Sequence, residues 1–197
     1  MAVESTCGML REGQDNTCLP TTQRKYFQQA VLINRLDIDY TTAEVTLPTS
    51  ELCSYNVEFA LKEDKTGYRF SASESGVSVK GWFDKSRNDL GNVQYIHQVQ
   101  LLVMNILESS KCILSGLDLG NFVVALQNGQ TVEIFGFYNG LSTADYTYDV
   151  AEGGGGALIN LASLEDNPEG ILPLVYKSGT PGGEIADFDS NFANPSA

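Results

Sequence analysis

The sequence is poor in the residue types from which most catalytic and metal sites are built. It has one histidine, His97, and four cysteines, which are Cys7, Cys18, Cys53 and Cys112. With a single histidine, no serine or cysteine gains support as the nucleophile of a catalytic arrangement. The cysteines lack CxxC spacing and predict free thiols, with a bridge between Cys7 and Cys18 as the alternative. We therefore predict a protein that is not an enzyme, with no catalytic, cofactor or metal site.

Positive charge is scarce as well. The chain has 12 lysines and arginines against 25 aspartates and glutamates, and its formal net charge is -13. This balance disfavours a protein that binds nucleic acid phosphates through a general basic surface. The clusters Arg24-Lys25 and Lys85-Ser86-Arg87 are too short to form a nucleic-acid-binding patch.

Long apolar runs are also missing. No stretch approaches the roughly 20 apolar residues that a membrane-spanning helix needs. The first ten residues carry Glu4 where a secretory leader would have basic and then apolar residues. These features predict a cytoplasmic product without a membrane partner. The apolar content of 42% supports one globular domain and argues against overall disorder.

Glycine and proline divide the chain into three parts. Residues 1–24 contain Gly8, Gly13 and Pro20 without sustained apolar periodicity, and we predict an N-terminal arm there. Residues 178–197 are acidic and rich in glycine and proline, which predicts an extended C-terminal tail. The domain itself is predicted over residues 25–177.

Between these arms, apolar residues recur with a period of two, which is typical of half-buried strands. Residues 55–62 show this best, and residues 68–73 are predicted as their hairpin partner across a turn at 65–67. A longer strand is predicted at 93–104, with its end buried on both faces because it is apolar on both sides. Further strands are predicted at 27–36, 44–47, 145–150, 157–165 and 171–177, and another short strand is predicted to start with Val77 and Val79.

The period changes after residue 105. Apolar and small residues then follow helical spacing to Leu117, so we predict one helix of about three turns with Asn105 as its N-cap. Asn128-Gly129 separates two apolar runs and predicts a hairpin with a type I′ turn. Strands without regular helix alternation predict a mainly β fold. We expect an antiparallel β-sandwich or barrel with one flanking helix and extended N- and C-terminal arms.

Several polar groups have both a functional and an ordinary structural interpretation. His97 lies in phase with apolar strand residues and is predicted to be a satisfied core or interface residue. The pairs Asp37/Asp39 and Asp187/Asp189 suggest calcium ligands but lack the spacing of a calcium loop, which favours a solvated acidic surface. The glycines at 153–156 are not followed by a helix or by a Lys-Ser/Thr pair, which favours a hairpin loop over a phosphate-binding loop.

Aromatic residues offer a further alternative. They could form a stacking surface for sugars or bases, although aromatic residues in β proteins more often fill cores and subunit contacts. The residues concerned are Trp82, Phe83, Tyr138, Tyr146 and Tyr148.

The order of these segments resembles a known family. The resemblance spans residues 26–165, and it rests on the strands at 31–34, 55–62 and 95–104, the helix at 106–117, the hairpin at 123–129 and the sequence Phe135-Gly136-Phe137-Tyr138-Asn139-Gly140-Leu141. In this order the chain resembles structural proteins of tailed bacteriophages, in particular the tail-tube and related virion proteins of phages of Bacteroidetes.

The resemblance implies a virion protein that is assembled in the host cytoplasm into stacked rings, with six copies in each ring. Its partners would be copies of itself, neighbouring virion proteins and DNA that passes through without specific contacts. A net negative chain suits such a conduit, because like charges do not hold DNA. The alternatives are a head-tail connector or capsid-associated virion protein, and a β binding or adhesion module.

Overall fold

The computed structural model describes residues 29–49, 54–71, 79–103, 108–149 and 156–195. The predicted arm at 1–24 and the predicted N-cap Asn105 lie outside these ranges. Seven strands form one sheet: β1 (Gln29–Asn34), β2 (Glu44–Thr46), β3 (Asn56–Glu58), β4 (Tyr68–Ser71), β7 (Phe122–Asn128), β8 (Thr131–Phe135) and β11 (Leu174–Tyr176). Four strands form the other: β5 (Lys80–Arg87), β6 (Val93–Val103), β9 (Ser142–Asp149) and β10 (Gly156–Ala162).

The strand order is β2-β3-β11-β8-β7-β1-β4 in the larger sheet and β5-β6-β10-β9 in the smaller one. Neighbours pair antiparallel except β3 and β11, which are parallel. A 12-residue helix, α1 (Glu108–Leu119), and a six-residue helix, α2 (Glu184–Asp189), complete the described elements. The predicted mainly β, sandwich-like fold with a flanking helix is confirmed.

The first hydrophobic core joins the two sheets. Its members come from β1, β7 and β8 of the larger sheet, from β6 and β10 of the smaller one, and from the Leu114 and Leu117 side chains of α1. The sheets approach closely at Gly81, where a Cβ would overlap the side chains of Leu126 and Phe135. This close approach explains a glycine inside a strand.

The second core lies on the other face of the seven-stranded sheet. It is built around Val31, Ile33, Val123 and Ile134, whose side chains point away from the first core. The central strands β1 and β7 are therefore buried on both faces. The prediction that the end of β6 is buried on both faces was wrong. Val99, Leu101 and Val103 are buried, whereas the residues between them are partly exposed. The reason is that the seven-stranded sheet covers only one face of β6.

Residues 178–195 do not form the extended tail that their composition predicts. They contain α2, and the side chains of Phe188 and Phe192 are buried in the second core. The Arg69 guanidinium donates hydrogen bonds to the carbonyl oxygens of Phe188 (2.9 Å) and Asp189 (2.7 Å) at the end of α2. Phe188 and Phe192, with Ile185 packed against the same core, anchor this segment, because each large aromatic side chain buries a large apolar area.

The predicted hairpin between residues 55–62 and 68–73 was also wrong. Strand β3 pairs with β2 and β11, and β4 pairs with β1 at the edge of the larger sheet. The loop between β3 and β4 is bound by the C-terminal segment instead. The amides of Asp64 and Gly67 donate hydrogen bonds to the carbonyl oxygens of Asn194 and Asn191, both at 2.8 Å.

The hairpin at Asn128-Gly129 is confirmed, with a different turn. Asn128 pairs with Thr131, so the two loop residues are Gly129 and Gln130. Gly129 has a φ of 64°, and it is the only described residue of this turn with a positive φ. A positive φ at the first loop residue alone is the pattern of a type II′ turn, in which glycine is favoured at that position.

Replacing Gly129 with valine should lower the free energy of unfolding by about 1 kcal/mol or more, because a β-branched residue is strained at positive φ. The space around the missing Cβ is open, so no steric clash contributes. Urea denaturation measures the effect. Gly170→Val is the matched control: Gly170 is equally open but lacks a positive φ, and its change should stay within about 0.5 kcal/mol. Equal effects of the two substitutions would contradict this account of the turn.

Phe188→Ala should lower the free energy of unfolding by about 3–5 kcal/mol, because it leaves a cavity in the second core. Leu164→Ala is the control, since Leu164 is 57% exposed whereas Phe188 is fully buried. Equilibrium unfolding in urea distinguishes the two variants. An effect of Phe188→Ala as small as that of the control would mean that residues 178–195 behave as a tail after all.

Candidate functional site

The four-stranded sheet has one face against the first core, and no described helix or strand covers the other, which we call the open face. Residues 97, 99, 101 and 103 of β6 point inward, as do 157, 159 and 161 of β10. Because side chains alternate along a strand, the residues between them line the opposite face. That open face carries Lys80, Trp82, Asp84, Gln94, Ile96, Gln98, Gln100, Leu102, Leu158, Asn160, Asp145 and Thr147.

Amide and carboxylate side chains on the open face bond to one another across the strands. Gln98 Nε2 donates to Asp84 Oδ2 at 2.5 Å, which ties β6 to β5. Gln100 Nε2 donates to Asn160 Oδ1 at 2.9 Å, and Asn160 Nδ2 donates to Asp145 Oδ1 at 2.5 Å, which ties β6 through β10 to β9. The centre of the face is therefore polar and preorganised, whereas Trp82, Ile96, Leu102 and Leu158 are apolar residues on the same face.

Both edges of this sheet are long. The outer strands β5 and β9 have eight residues each, and along the described chain β5 pairs with β6 alone and β9 with β10 alone. As far as the described residues go, each strand therefore has an outer row of backbone donors and acceptors that could pair with a further strand.

The register shows which residues of β5 face outward. Tyr95 exchanges both backbone hydrogen bonds with Glu169, on the side of β6 away from β5, at 2.8 and 2.9 Å. Alternate residues of an antiparallel strand bond to opposite sides, so Ile96 of β6 bonds toward its partner Asp84 of β5. The backbone N–H and C=O groups of Lys85 must then point to the outer edge of β5.

The His97 side chain points from β6 toward the first core, and both of its ring nitrogens make hydrogen bonds within the fold. Its side chain is 1% exposed. The Nε2–H donates to the Ile171 carbonyl oxygen (3.0 Å), and Nδ1 accepts from the Gly136 amide (3.1 Å). Burial lowers the pKa of His97 to about 4, although the bond to Ile171 acts in the opposite direction. The prediction of a satisfied core histidine is confirmed.

Glu169 is a buried carboxylate that the sequence reading did not single out. Its Oε1 accepts from the Asn139 amide at 2.8 Å, while Oε2 lacks a hydrogen-bond partner among the described residues. Burial raises the pKa of Glu169, and hydrogen bonds from the backbone amides of Asn139, Tyr138 and Gly140 oppose that rise. The side chain holds the loop at residues 138–140 against the edge of β6, which is a structural role.

Within each predicted aspartate pair, the two carboxylates bind different partners. The first pair is Asp37 and Asp39. Asp37 bonds Asn34 (2.9 Å) and lies 3.5 Å from the Lys65 ammonium, and Asp39 accepts from the Thr41 amide (3.0 Å) and hydroxyl (2.6 Å). These bonds from Thr41 lower the pKa of Asp39.

The second pair is divided in the same way. Asp187 accepts from the Tyr176 hydroxyl at 2.9 Å, and Asp189 lies 3.4 Å from Arg69. Within the part of the chain that the structure describes, no three His, Cys, Asp or Glu side chains are placed to hold a metal ion.

The aromatic residues do not form one platform. Trp82 is on the open face at the β5 edge, because Gly81 before it points into the core. Tyr146 is on the β9 edge, opposite the core residue Ile159 and hence on the inner face, where its hydroxyl donates to Asp118 of α1 (3.2 Å). Tyr138 packs edge-on against Phe137, Phe83 packs against Tyr95 and His97, and the Tyr148 side chain lies outside the described atoms.

Two further predictions concern loops and thiols. The glycines at 153–155 and the cysteines Cys7, Cys18 and Cys53 lie outside the described residues. The strands on either side of the glycines, β9 and β10, pair as a hairpin, as expected. Cys112 on α1 is a free, exposed thiol.

The sequence predicted only a short strand starting with Val77 and Val79, and it did not indicate the eight residues of β5 that follow. Its alternation is hidden, because a glycine and an aromatic residue, Gly81 and Phe83, occupy the inward positions while Trp82 points outward. The cluster Asn88-Asp89-Leu90-Gly91-Asn92 was the available signal, since these residue types favour a turn between two strands.

Comparison with known proteins gives no relative: no family model, no curated protein and no solved structure matches the chain. Neither of the described helices is long and apolar enough to cross a bilayer.

The lowered pKa of His97 predicts a pH dependence of stability. Between pH 6.5 and about 4 the unfolded chain binds a proton on this imidazole and the folded chain does not, so the free energy of unfolding should fall as pH falls, by at most about 1.4 kcal/mol per pH unit. His97→Gln should lack this component. Urea denaturation of both proteins across pH 4 to 7 measures it, and carboxylate titration largely cancels in the comparison. Parallel curves for the two proteins would contradict the assignment.

Proposed function

We propose that this chain is a virion structural protein that assembles into rings through the edges of its four-stranded sheet, as a subunit of a bacteriophage tail tube. The observation that carries the proposal is the pair of eight-residue strands, β5 and β9, at opposite edges of one sheet. Long unpaired edges on a solitary molecule invite pairing with other chains, and closure into a ring removes them.

The direction of the strands supports pairing between copies. The four strands are antiparallel throughout and even in number, so β5 and β9 run in opposite directions. If β9 of one copy pairs with β5 of the next, the junction is antiparallel as well. The same contact repeats around the ring, which is a heterologous interface that closes by rotation.

The polarity of the open face supports a water-filled interior. Six copies, the number that the resemblance implies, would join about 24 strands, and barrels of 16 or more strands leave an aqueous channel. The side chains across the centre of the open face are amides, with Lys80 as a cation and Asp84 and Asp145 as anions. A nearly neutral amide surface in a chain of net charge -13 would give DNA few cations to bind.

The alternatives use the same surface differently. A head-tail connector or capsid-associated virion protein would also form rings, and electron microscopy of the native particle would locate it. A β binding or adhesion module would remain monomeric and bind through Trp82, which is partly exposed on the open face. Against that function, Tyr138 and Tyr146 do not share a surface with Trp82.

Lys85→Pro tests the ring. Proline removes an N–H that faces the free edge of β5, so it should leave the fold intact and block pairing with another copy. We expect the wild-type chain to form rings by negative-stain electron microscopy and analytical ultracentrifugation. Lys85→Pro should need at least tenfold higher protein concentration.

Lys85→Ala removes the same charge but keeps the N–H, and it should assemble like the wild type. Thermal unfolding of the variants at concentrations where each is a monomer checks that the fold is retained. A wild-type chain that stays a 21.4 kDa monomer across a broad concentration range would sink the proposal.

A further inference from the structure

A cavity lies beside the second core, between strand β3 and the C-terminal segment (residues 178–195). Its volume is about 350 Å³, which is within the range of small-molecule sites. Its lining comes from Thr42 and residues 58–61 on one part of the chain, and from residues 176, 178–180, 187, 190 and 192–194 on another. All of these residues belong to the described ranges. The cavity therefore exists only because the C-terminal segment folds back onto the larger sheet.

The floor of the cavity is apolar and well packed. Phe59, Leu61, Tyr176 and Phe192 line it, and each is at most 6% exposed. The rings of Phe59 and Phe192 stack with centroids 5.4 Å apart, and the Tyr176 ring packs edge-on against both. A bound hydrocarbon chain would meet a surface that is already in place, which lowers the entropy that binding costs.

Two carboxylates line the same cavity, those of Glu58 and Asp187. Asp187 Oδ2 accepts a hydrogen bond from the Tyr176 hydroxyl at 2.9 Å. Burial and this bond raise the pKa of Tyr176, and the nearby charge of Glu58 acts in the same direction, so both carboxylates lie close to this hydroxyl. Hydroxyl groups complete the polar lining, from Thr42, Ser178, Thr180 and Ser190.

The charges of the two carboxylates are not balanced within the cavity. Its lining includes no lysine, arginine or histidine, and among the described residues no ion pair involves Glu58 or Asp187. Lys177 lies 4.0 Å from Glu184 instead, and neither residue lines the cavity. The cavity therefore attracts a cation and repels an anion. Because the described residues place no three His, Cys, Asp or Glu side chains for a metal ion, we expect an organic cation.

We propose that this cavity binds a small aliphatic diamine, with its ammonium groups held by Glu58 and Asp187 and its hydrocarbon chain packed on the floor. An ammonium group has N–H donors for both carboxylate and hydroxyl acceptors. Two ammonium groups match the two unbalanced carboxylates. The site is independent of ring assembly, because none of its lining residues belongs to the four-stranded sheet.

Equilibrium dialysis of the full-length chain against radiolabelled 1,4-diaminobutane tests the site. Salt at about 0.15 M screens weak contacts with the acidic surface. The wild-type chain should bind one diamine molecule per chain, and binding should saturate. Butane-1,4-diol has the same carbon chain without charge, and an equal concentration of it should not displace the diamine.

Glu58→Gln removes one of the two charges and keeps the size of the side chain. Because hydrogen bonds between charged groups are stronger than those to neutral groups, the dissociation constant should rise at least tenfold. Glu63→Gln is the matched control, since Glu63 is an exposed glutamate that does not line the cavity. Its dissociation constant should equal that of the wild type.

Ala193→Trp obstructs the cavity without a change of charge, and it should weaken binding at least tenfold as well. Ala186→Trp is its control, because both alanines are exposed in the C-terminal segment but only Ala193 lines the cavity. Thermal unfolding checks that each variant is folded. Glu58→Gln keeps the test decisive if the indole destabilises the segment, since Glu58 is an exposed residue of β3.

Lack of saturable binding by the wild type, or displacement by the diol, would overturn the inference. So would wild-type affinity in Glu58→Gln or in a folded Ala193→Trp. A tenfold loss in Glu63→Gln would also overturn it, because the overall negative charge would then bind the diamine. Ring formation by a chain that binds no diamine would leave the proposed function intact, and diamine binding by a chain that forms no rings would overturn the proposed function alone.

Discussion

The central strands of the larger sheet carry apolar side chains on both faces. The need to cover both faces determines where the remaining elements pack. Strands β1 and β7 are buried over nearly their whole length. A sheet of this kind must be covered twice, because several exposed valine and leucine side chains would each cost about 1.5–3 kcal/mol. The smaller sheet and α1 cover one face, and α2 with Phe188 and Phe192 covers the other.

The double cover leaves the smaller sheet with one face and two edges on which no described strand or helix packs. Its inward residues are already committed to the first core, so its outward residues are released from packing and are mostly polar. Cross-strand bonds join Asp84, Gln98, Gln100, Asn160 and Asp145 on this face, which no described helix or strand covers. The surface that we propose for assembly is thus a consequence of how the larger sheet is buried.

The sequence allowed the mainly β class, the long strand β6, helix α1 and the hairpin at Gly129 to be predicted. These features rest on local patterns of period two, of helical spacing and of turn residues. The pairing of β4 with β1 was not predictable in this way, because residues 68–71 and 29–32 are joined by contacts between distant parts of the chain. The buried position of Phe188 was not predictable either, because its core neighbours come from distant strands such as β7, β8 and β11.

The candidate site was harder to predict than the fold. The prediction for His97 was right because a histidine in phase with buried residues has a strong structural interpretation. The role of Glu169 depends on tertiary placement in a buried loop contact, and it has no local sequence pattern.

The position of α2 also has a consequence for synthesis in the cell. Residues 184–194 are synthesised after all the strands that they cover. During translation, the face of β1, β7 and β8 that forms the second core is therefore exposed until these residues are made. During that interval the nascent chain would expose an apolar surface, to which chaperones that recognise such surfaces would bind.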